Sequence, residues 1–259
     1  MSHNRPAISI IVPTYREAPN IEPLVTRAFA SLEGAGVPAE MVIVDDNSQD
    51  GTEAIVESLG KRFPVRCVIR TTDRGLSSAV LAGFQQARHD RFVVMDADLQ
   101  HPPEMIPAIA AELDRDGCDF VLATRYAGGG KLPADWPWHR RLASRTATWL
   151  ARPLAPLSDP MSGFFAMHRN TWTDAAPLDP IGFKIGLELY VKGRCRRPRE
   201  VPFTFGLRPA GESKFRLVEQ VRYLRHLSRL YWFRYSGLVM LFGLVLVGTI
   251  AWLVWRALD

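Results

Sequence analysis

From Ala7 to Ala123, short apolar runs alternate with helix-forming stretches, and this alternation restricts the fold more than any other feature of the chain. Ala7 to Val12 reads as a buried strand, and Asn20 precedes a helical stretch from Ile21 to about Glu33. Met41 to Val44 is a second strand, followed by the turn-forming string Asp45 to Gly51 and a helix from Thr52 to about Arg62. Val65 to Ile69, Phe92 to Met95 and Phe120 to Ala123 are further strands, separated by helices over Leu76 to Ala87 and Pro103 to Asp114. Pro103 opens its helix, where its missing N–H costs nothing. Strands alternating with helices of about ten residues predict an α/β fold, a mostly parallel sheet flanked by helices on both faces. After Tyr126 the pattern loosens through Gly128, Gly129 and Gly130 and a Trp/Pro-rich stretch. Arg140 to Arg152 then reads as helix, and Phe164 to His168 and Glu200 to Phe205 as later strands.

Open parallel sheets bind ligands at the carboxyl ends of their strands. Three polar clusters fall there: Pro13-Thr14-Tyr15-Arg16-Glu17 after strand one, Asp45-Asp46 after strand two, and Asp96-Ala97-Asp98-Leu99-Gln100 after strand four. One such cluster fits a turn or a helix cap; three at one edge point to a site. An extended backbone over 96–100 would send Asp96, Asp98 and Gln100 to one side. Two carboxylates and a carboxamide oxygen make a hard oxygen site for Mg²⁺ or Mn²⁺, and such ions also bind substrate phosphates. The cation would relieve the repulsion of two neighbouring carboxylates.

Other chemistries of this fold class lack their motifs. The turn after strand one has no Gly-x-Gly-x-x-Gly, Gly128-Gly129-Gly130-Lys131 runs into Leu132 and not into a P-loop, and no Gly-x-Ser-x-Gly elbow occurs. The formal net charge of +5 favours anionic partners. No helix-turn-helix, zinc-finger or RNA-binding signature accompanies it, which argues against nucleic acid. Cys67, Cys118 and Cys195 are odd in number, widely spaced and without a Cys-x-x-Cys pair. They fit buried free thiols in a reducing compartment. The N-terminal apolar run, Ile8 to Val12, is too short for a signal peptide.

The C-terminus differs. Ser236 to Trp255 carries no charged residue, and about twenty apolar residues span a bilayer core of roughly 30 Å. Arg222, Arg225, Arg229 and Arg234 precede this stretch, which by the positive-inside rule puts the N-terminal domain in the cytoplasm. Over Leu217 to Tyr235, apolar residues recur every three to four positions with arginines between them, the pattern of a basic amphipathic helix on an anionic membrane surface. The expected organisation is a catalytic domain over 1–215, an interfacial helix over 216–235 and a single transmembrane helix over 236–255.

The strings IVPTYREAPNIEPLV, VDDNSQDGT, RGLSSAVLAGF, MDADLQHPPE, ATRY, DPMSGFFAMHR and RPAGESKF occur in that order from Ile8 to Phe215. Together they resemble family 2 glycosyltransferases, most closely the dolichol- and polyprenol-phosphate mannosyltransferases. The resemblance implies a GT-A nucleotide-sugar fold and inverting transfer of mannose from GDP-mannose to dolichyl or polyprenyl phosphate, for protein glycosylation. It assigns Pro13, Tyr15, Glu17, Val44 and Asp46 to the nucleoside, and Asp96, Asp98 and Gln100 to the metal, with Ala97 also against the nucleotide sugar. It assigns Arg125, Arg208 and Lys214 to donor or acceptor phosphates, with Asp98, Arg125 and Lys214 central to catalysis. Arg140 and Ser144, four apart on a predicted helix, share a face on which they would receive the lipid phosphate together with Arg125. Asp159, Ser162 and Gly163 would shape the sugar pocket, with a turn-capping role for Asp159 equally open.

A phosphate monoester acceptor is largely ionised at neutral pH, so no strong general base is required. That suits the absence of an unassigned carboxylate or histidine in these strings; His101, followed by Pro102, reads as a turn residue. Three alternatives remain at this level. They are a polyprenyl-phosphate transferase using UDP-glucose or a UDP-N-acetylhexosamine, a non-catalytic membrane-tethered nucleotide-sugar-binding subunit, and a soluble transferase with a dimerisation tail. The membrane is a bacterial inner membrane or the endoplasmic reticulum, and protein partners are not legible.

Overall fold

The computed structural model describes residues 5–131, 138–179, 181–182, 184–206, 220–238 and 240. Seven strands form one sheet: β1 Ile8–Thr14, β2 Ala39–Asp45, β3 Val65–Ile69, β4 Arg91–Val94, β5 Phe120–Thr124, β6 Phe165–His168 and β7 Pro198–Pro202. Their order across the sheet is β3-β2-β1-β4-β6-β5-β7. All neighbouring pairs are parallel except those of β6, which runs antiparallel to both β4 and β5. The predicted α/β class and the strands before Tyr126 hold to within a few residues. The last strand lies at Pro198–Pro202, two residues before the expected start.

The helices are α1 Ala18–Ala35, α2 Thr52–Leu59, α3 Leu76–Gln86, α4 Ile106–Leu113, α5 Trp138–Ala151, α6 Arg169–Thr173, α7 Ile185–Lys192 and, last, α8 over 220–238. Strand side chains alternate between two cores. Ile8, Ile10 and Val12 of β1 join α1, α2 and α4 on one face. Ile11, Val42 and Val44 join α3, α7 and α8 on the other. Both faces being covered explains why β1 and β2 read as continuous apolar runs. At the amino end of the sheet Glu40 is buried, accepting hydrogen bonds from Ser9 Oγ and Arg88 N–H at 2.6 Å each and pairing with Arg66.

The last helix presents two faces. Tyr223, His226, Leu227 and Leu230 are buried against the domain, whereas Val221 and Leu224 are exposed. Three tyrosine hydroxyls bind it to the end of α5: Tyr223 to Ala147 O and Tyr231 to Leu150 O, each at 2.7 Å, and Tyr235 to Pro153 O at 2.6 Å. Leu150 O lies in the last turn of α5, where carbonyls have no partner within the helix, so the Tyr231 hydroxyl stabilises that end. No helix among the described residues is long and apolar enough to cross a membrane. The expected span over 236–255 lies almost wholly outside the described residues.

Candidate active site

The carboxyl ends of β1 to β5 converge on one edge, with the amino end of antiparallel β6 beside them. At the β1 and β2 end, the acidic turn divides its labour. Asp45 caps the turn, accepting the Ser48 N–H at 2.8 Å. Asp50 accepts N–H groups from Ala18 and Thr52 at 3.1 Å each, fastening the starts of α1 and α2. Asp46 reaches the other way along the edge, toward the start of α3. It pairs with Arg70 at 2.8 Å and accepts the Gly75 N–H at 2.7 Å. Burial raises its carboxyl above the ordinary value, outweighing those favourable contacts. In the segment after β1, Arg16 stands over the Tyr15 ring at 5.3 Å and Asn20 Nδ2 donates to Glu17 at 2.6 Å. Pro13 is buried beside Val44 in the β1–β2 register. The Val44 side chain faces Gly83 in the core, leaving its backbone as the part that borders this edge. Arg70, the partner of Asp46, was not singled out from the sequence.

The segment 96–100 is a turn and not extended. Leu99 stands at φ 60, and the Gln100 N–H bonds Asp98 Oδ1 at 3.1 Å. The alternation argument therefore fails here: Asp98 is buried as the turn's own cap, and Ala97 is in the core. The Asp96 carboxylate is 37% exposed. Gln100 Nε2 donates to Gly206 O at 3.3 Å. His101 fastens the turn, its Nδ1 accepting the Asp96 N–H at 3.0 Å, its ring stacked on Phe164 and edged by Phe203 and Phe205. Burial pushes its pKa down, and the neutral ring then carries its proton on Nε2.

The Asp96 oxygens lie 3.5 Å from where a Cβ on Gly163 would stand, so the floor beneath the carboxylate is backbone. Among the described residues no three His, Cys, Asp or Glu side chains form a metal-holding group. An accessible carboxylate with a second two residues on fits Mg²⁺ or Mn²⁺, which take one or two protein carboxylates and complete their shell with phosphate and water. The same set is too sparse for a structural zinc site.

Arg125, at the end of β5, is held by a partner the sequence left ambiguous. Its Nε and Nη2 bond both oxygens of the fully buried Asp159 at 2.7 and 2.9 Å, and its backbone N–H adds a third bond at 3.2 Å. Asp159 is thus an anchor for Arg125. Despite burial, this bidentate pairing raises the guanidinium above its ordinary value, so it stays charged. Its remaining face lies 5.1 Å from the Phe205 ring. Ser162 Oγ accepts the Phe164 N–H, closing the turn before β6.

A second cation was missed by the sequence reading. Lys184, just before α7, donates from Nζ to Met161 O at 2.6 Å. Burial first, then the positive charge of Arg125, pushes its pKa down to about 8, against the opposing pull of Asp159 and Asp96. On the α5 side, Ser144 Oγ accepts from Tyr126 OH at 2.7 Å. A cavity of about 290 Å³ opens next to it, lined by Tyr126, Arg145, Thr148, Trp149, Arg152 and Ser158. Arg208 and Lys214 lie outside the described residues, as does the side chain of Arg140.

Comparison with known proteins places this arrangement. Residues 9–174 match the family model described as Glycosyl transferase family 2. A dolichol-phosphate mannosyltransferase of Mycosarcoma maydis is 45% identical, over 96% of this chain and 87% of that protein. One from Saccharomyces cerevisiae is 47% identical over 88% of each. Among solved structures, glucosyl-3-phosphoglycerate synthase from Mycobacterium tuberculosis, crystallised with Mn²⁺, UDP-glucose and phosphoglyceric acid, superposes with a TM-score of 0.64 at 21% identity. That match covers 89% of this chain and 80% of the other, and the shared architecture is the GT-A fold. With the family model spanning nearly all of β1 and β2 through β6, the Asp96 turn and the Arg125–Asp159 pair, the chain belongs to glycosyl transferase family 2.

Proposed function

We propose that the chain transfers mannose from GDP-mannose to dolichyl or polyprenyl phosphate with inversion, releasing GDP. One observation carries this reading: Asp96, the Arg125–Asp159 pair and Lys184 gather at the carboxyl edge of the sheet. The relatives are named for the same transfer. Tyr15 offers a ring face for the base, and Asp46, fixed by Arg70 and Gly75, offers acceptor oxygens to base or ribose. Asp96 and Asp98, with Gln100, would hold Mg²⁺ or Mn²⁺, which when bound neutralises charge on the diphosphate. Arg125 and Lys184 add fixed positive charge where that diphosphate departs, and the family motif gives Arg208 and Lys214 the same task. Arg140 and Ser144 receive the acceptor phosphate. That phosphate, with a second pKa near 6, attacks as an anion and needs no proton acceptor. His101, buried and bonded to the Asp96 N–H, is not placed to be one.

Exposed residues of α5 and α8 support a membrane-facing side. Trp138, Leu142 and Trp149 on α5 and Val221, Leu224 and Trp232 on α8 are exposed, with Trp138 76% and Trp149 69% accessible. Arg145, Arg152, Arg222 and Arg225 are interspersed among them. Tryptophan and arginine together suit the headgroup layer of an anionic membrane. In this reading α8 is the interfacial helix, 236–255 is the span, and the cavity beside Ser144 admits the lipid phosphate from that face.

The test is radiolabel transfer to polyprenyl phosphate by purified protein with Mn²⁺, offered GDP-mannose, UDP-glucose or UDP-N-acetylglucosamine, beside Asp96→Ala. Metal-dependent mannolipid from GDP-mannose, reduced at least 100-fold in the variant, is the expected result, a loss on the scale of roughly 10²–10³ for removal of one transition-state-stabilising group. Product from a UDP sugar alone would overturn the donor assignment.

A further inference from the structure

Lys184 is held from a direction that the transfer reaction does not require. The described residues ahead of it are clasped by α7 and α8. Glu188 of α7, buried, accepts the Asp179 N–H at 2.7 Å and the Lys192 ammonium at 2.6 Å on the same oxygen, Oε1. Lys192 also donates to Pro177 O at 2.8 Å and stands 6.0 Å from the Phe233 ring of α8. Asp179 pairs with Arg229 of α8, a half-exposed contact of small energetic weight. At the other end Gly182 O accepts from Ser77 Oγ of α3 at 2.9 Å.

The second oxygen of Glu188 completes the picture. Glu188 Oε2 faces His226 Nε2 of α8 at 3.4 Å, with the two side chains 1% and 3% exposed. Neither atom has a hydrogen-bond partner. Two dry polar atoms facing each other at 3.4 Å without hydrogen-bond geometry make a contact that a small reorientation of the two helices completes. The shift available is that of α8, whose outer face carries the exposed Val221, Leu224 and Trp232. Glu188 also sits one turn beyond Lys184, its N–H bonding Lys184 O at 3.4 Å.

We infer that Glu188 and His226 are positioning residues that transmit the seating of α8 to Lys184. Pressing α8 onto the domain closes the His226–Glu188 hydrogen bond. The closed bond fixes α7, whose Glu188 N–H bonds Lys184 O, and so sets where the Lys184 ammonium stands against the departing diphosphate. This rests on the mannosyl-transfer reading of the same site.

The experiment is a double-variant cycle on the full chain, reconstituted in vesicles of anionic lipid containing polyprenyl phosphate. His226→Phe keeps the ring's bulk and removes the bond; His226→Gln restores a donor. His226→Phe is expected to lower kcat about 10-fold with the KM for GDP-mannose within twofold, and His226→Gln to recover most of the loss. Placed on Lys184→Met, His226→Phe is expected to add less than a twofold further loss, because one acts through the other. Losses that multiply in the double variant, or a fall confined to thermal stability with kcat unchanged, would overturn the inference. Turnover by the parent chain reports on the underlying reading separately: a parent that uses only a UDP sugar sinks the donor assignment, and the cycle is then run with that donor.

Discussion

Burial holds the Lys184 ammonium at about 8, below lysine's ordinary value, and that shift has a sign. Between about 8 and the unfolded value the unfolded chain holds the extra proton, so stability rises with pH through that window and the charge weakens the fold below it. Lys184→Met is therefore expected to match or exceed the parent in Tm near pH 7 while transfer falls about 10- to 100-fold, the scale of a lost charge-stabilising group; parallel thermal unfolding and kcat measurements check both halves. A Tm loss equal in weight to the activity loss would make Lys184 a packing residue. Nothing in its own string marks Lys184, because GFKIG matches none of the motifs that carry the site. Asp46, by contrast, was legible, yet its neighbours Asp45 and Asp50 are caps; the three acids differ in which N–H groups their backbone turns toward them, and composition does not carry that. The turn at Leu99 was hidden for the same reason: a positive φ at a leucine is imposed by the surroundings, here His101 and Asp98.

At the scale of elements, α3 meets β1 at Gly83. A Cβ there would stand 2.5 Å from Ile11 Cγ2 and 3.2 Å from Val44 Cγ2. In an exposed helix Gly→Ala is a gain of roughly 0.5–1 kcal/mol. Here close packing reverses the sign, and Gly83→Ala is expected to cost about 1–3 kcal/mol, the range for overpacking; urea denaturation would show it as a lower midpoint. A stabilised variant would mean that α3 moves off the sheet freely. The strands before Tyr126 were legible because both sheet faces are buried, giving unbroken apolar runs bounded by turn residues. The direction of β6 was not: side chains alternate with period two whichever way a strand runs. Short α6 and α7 were missed because each begins within a few residues of a strand or of the Lys184 turn, leaving no room for a helical period to declare itself. For α8 the periodicity was legible, whereas the packing of Tyr223, Tyr231 and His226 on the domain was not, because the groups they meet lie on α5 and α7, far away in sequence.

For the molecule as a whole, the two ends of the sheet do different work. The carboxyl end holds the site, and the amino end holds Glu40. Burial pushes the Glu40 carboxyl up, but hydrogen bonds from Arg66, Ser9 and the Arg88 N–H outweigh it and hold it below its ordinary value. A carboxyl depressed in the fold contributes stability that is full above the unfolded pKa and lost as pH falls through the folded one. Glu40→Gln is expected to lower Tm at pH 7 and to flatten its decline toward pH 3; an acid limb of unchanged slope would assign acid sensitivity elsewhere. The division of the sheet also has a consequence for synthesis. β6 is inserted between β4 and β5, although the chain makes β4 and β5 first. On the ribosome β3, β2, β1 and β4 can pair as soon as they emerge, whereas β5 has no neighbour to join until residues 165–168 are translated. At roughly 5–20 residues per second, the nascent chain spends seconds with the open edge of β4 in solution, an edge that invites foreign strands. The β3-β2-β1-β4 half is thus built early and the β6-β5-β7 half late, and the interval between them is when the chain is most open to pairing with the wrong strand.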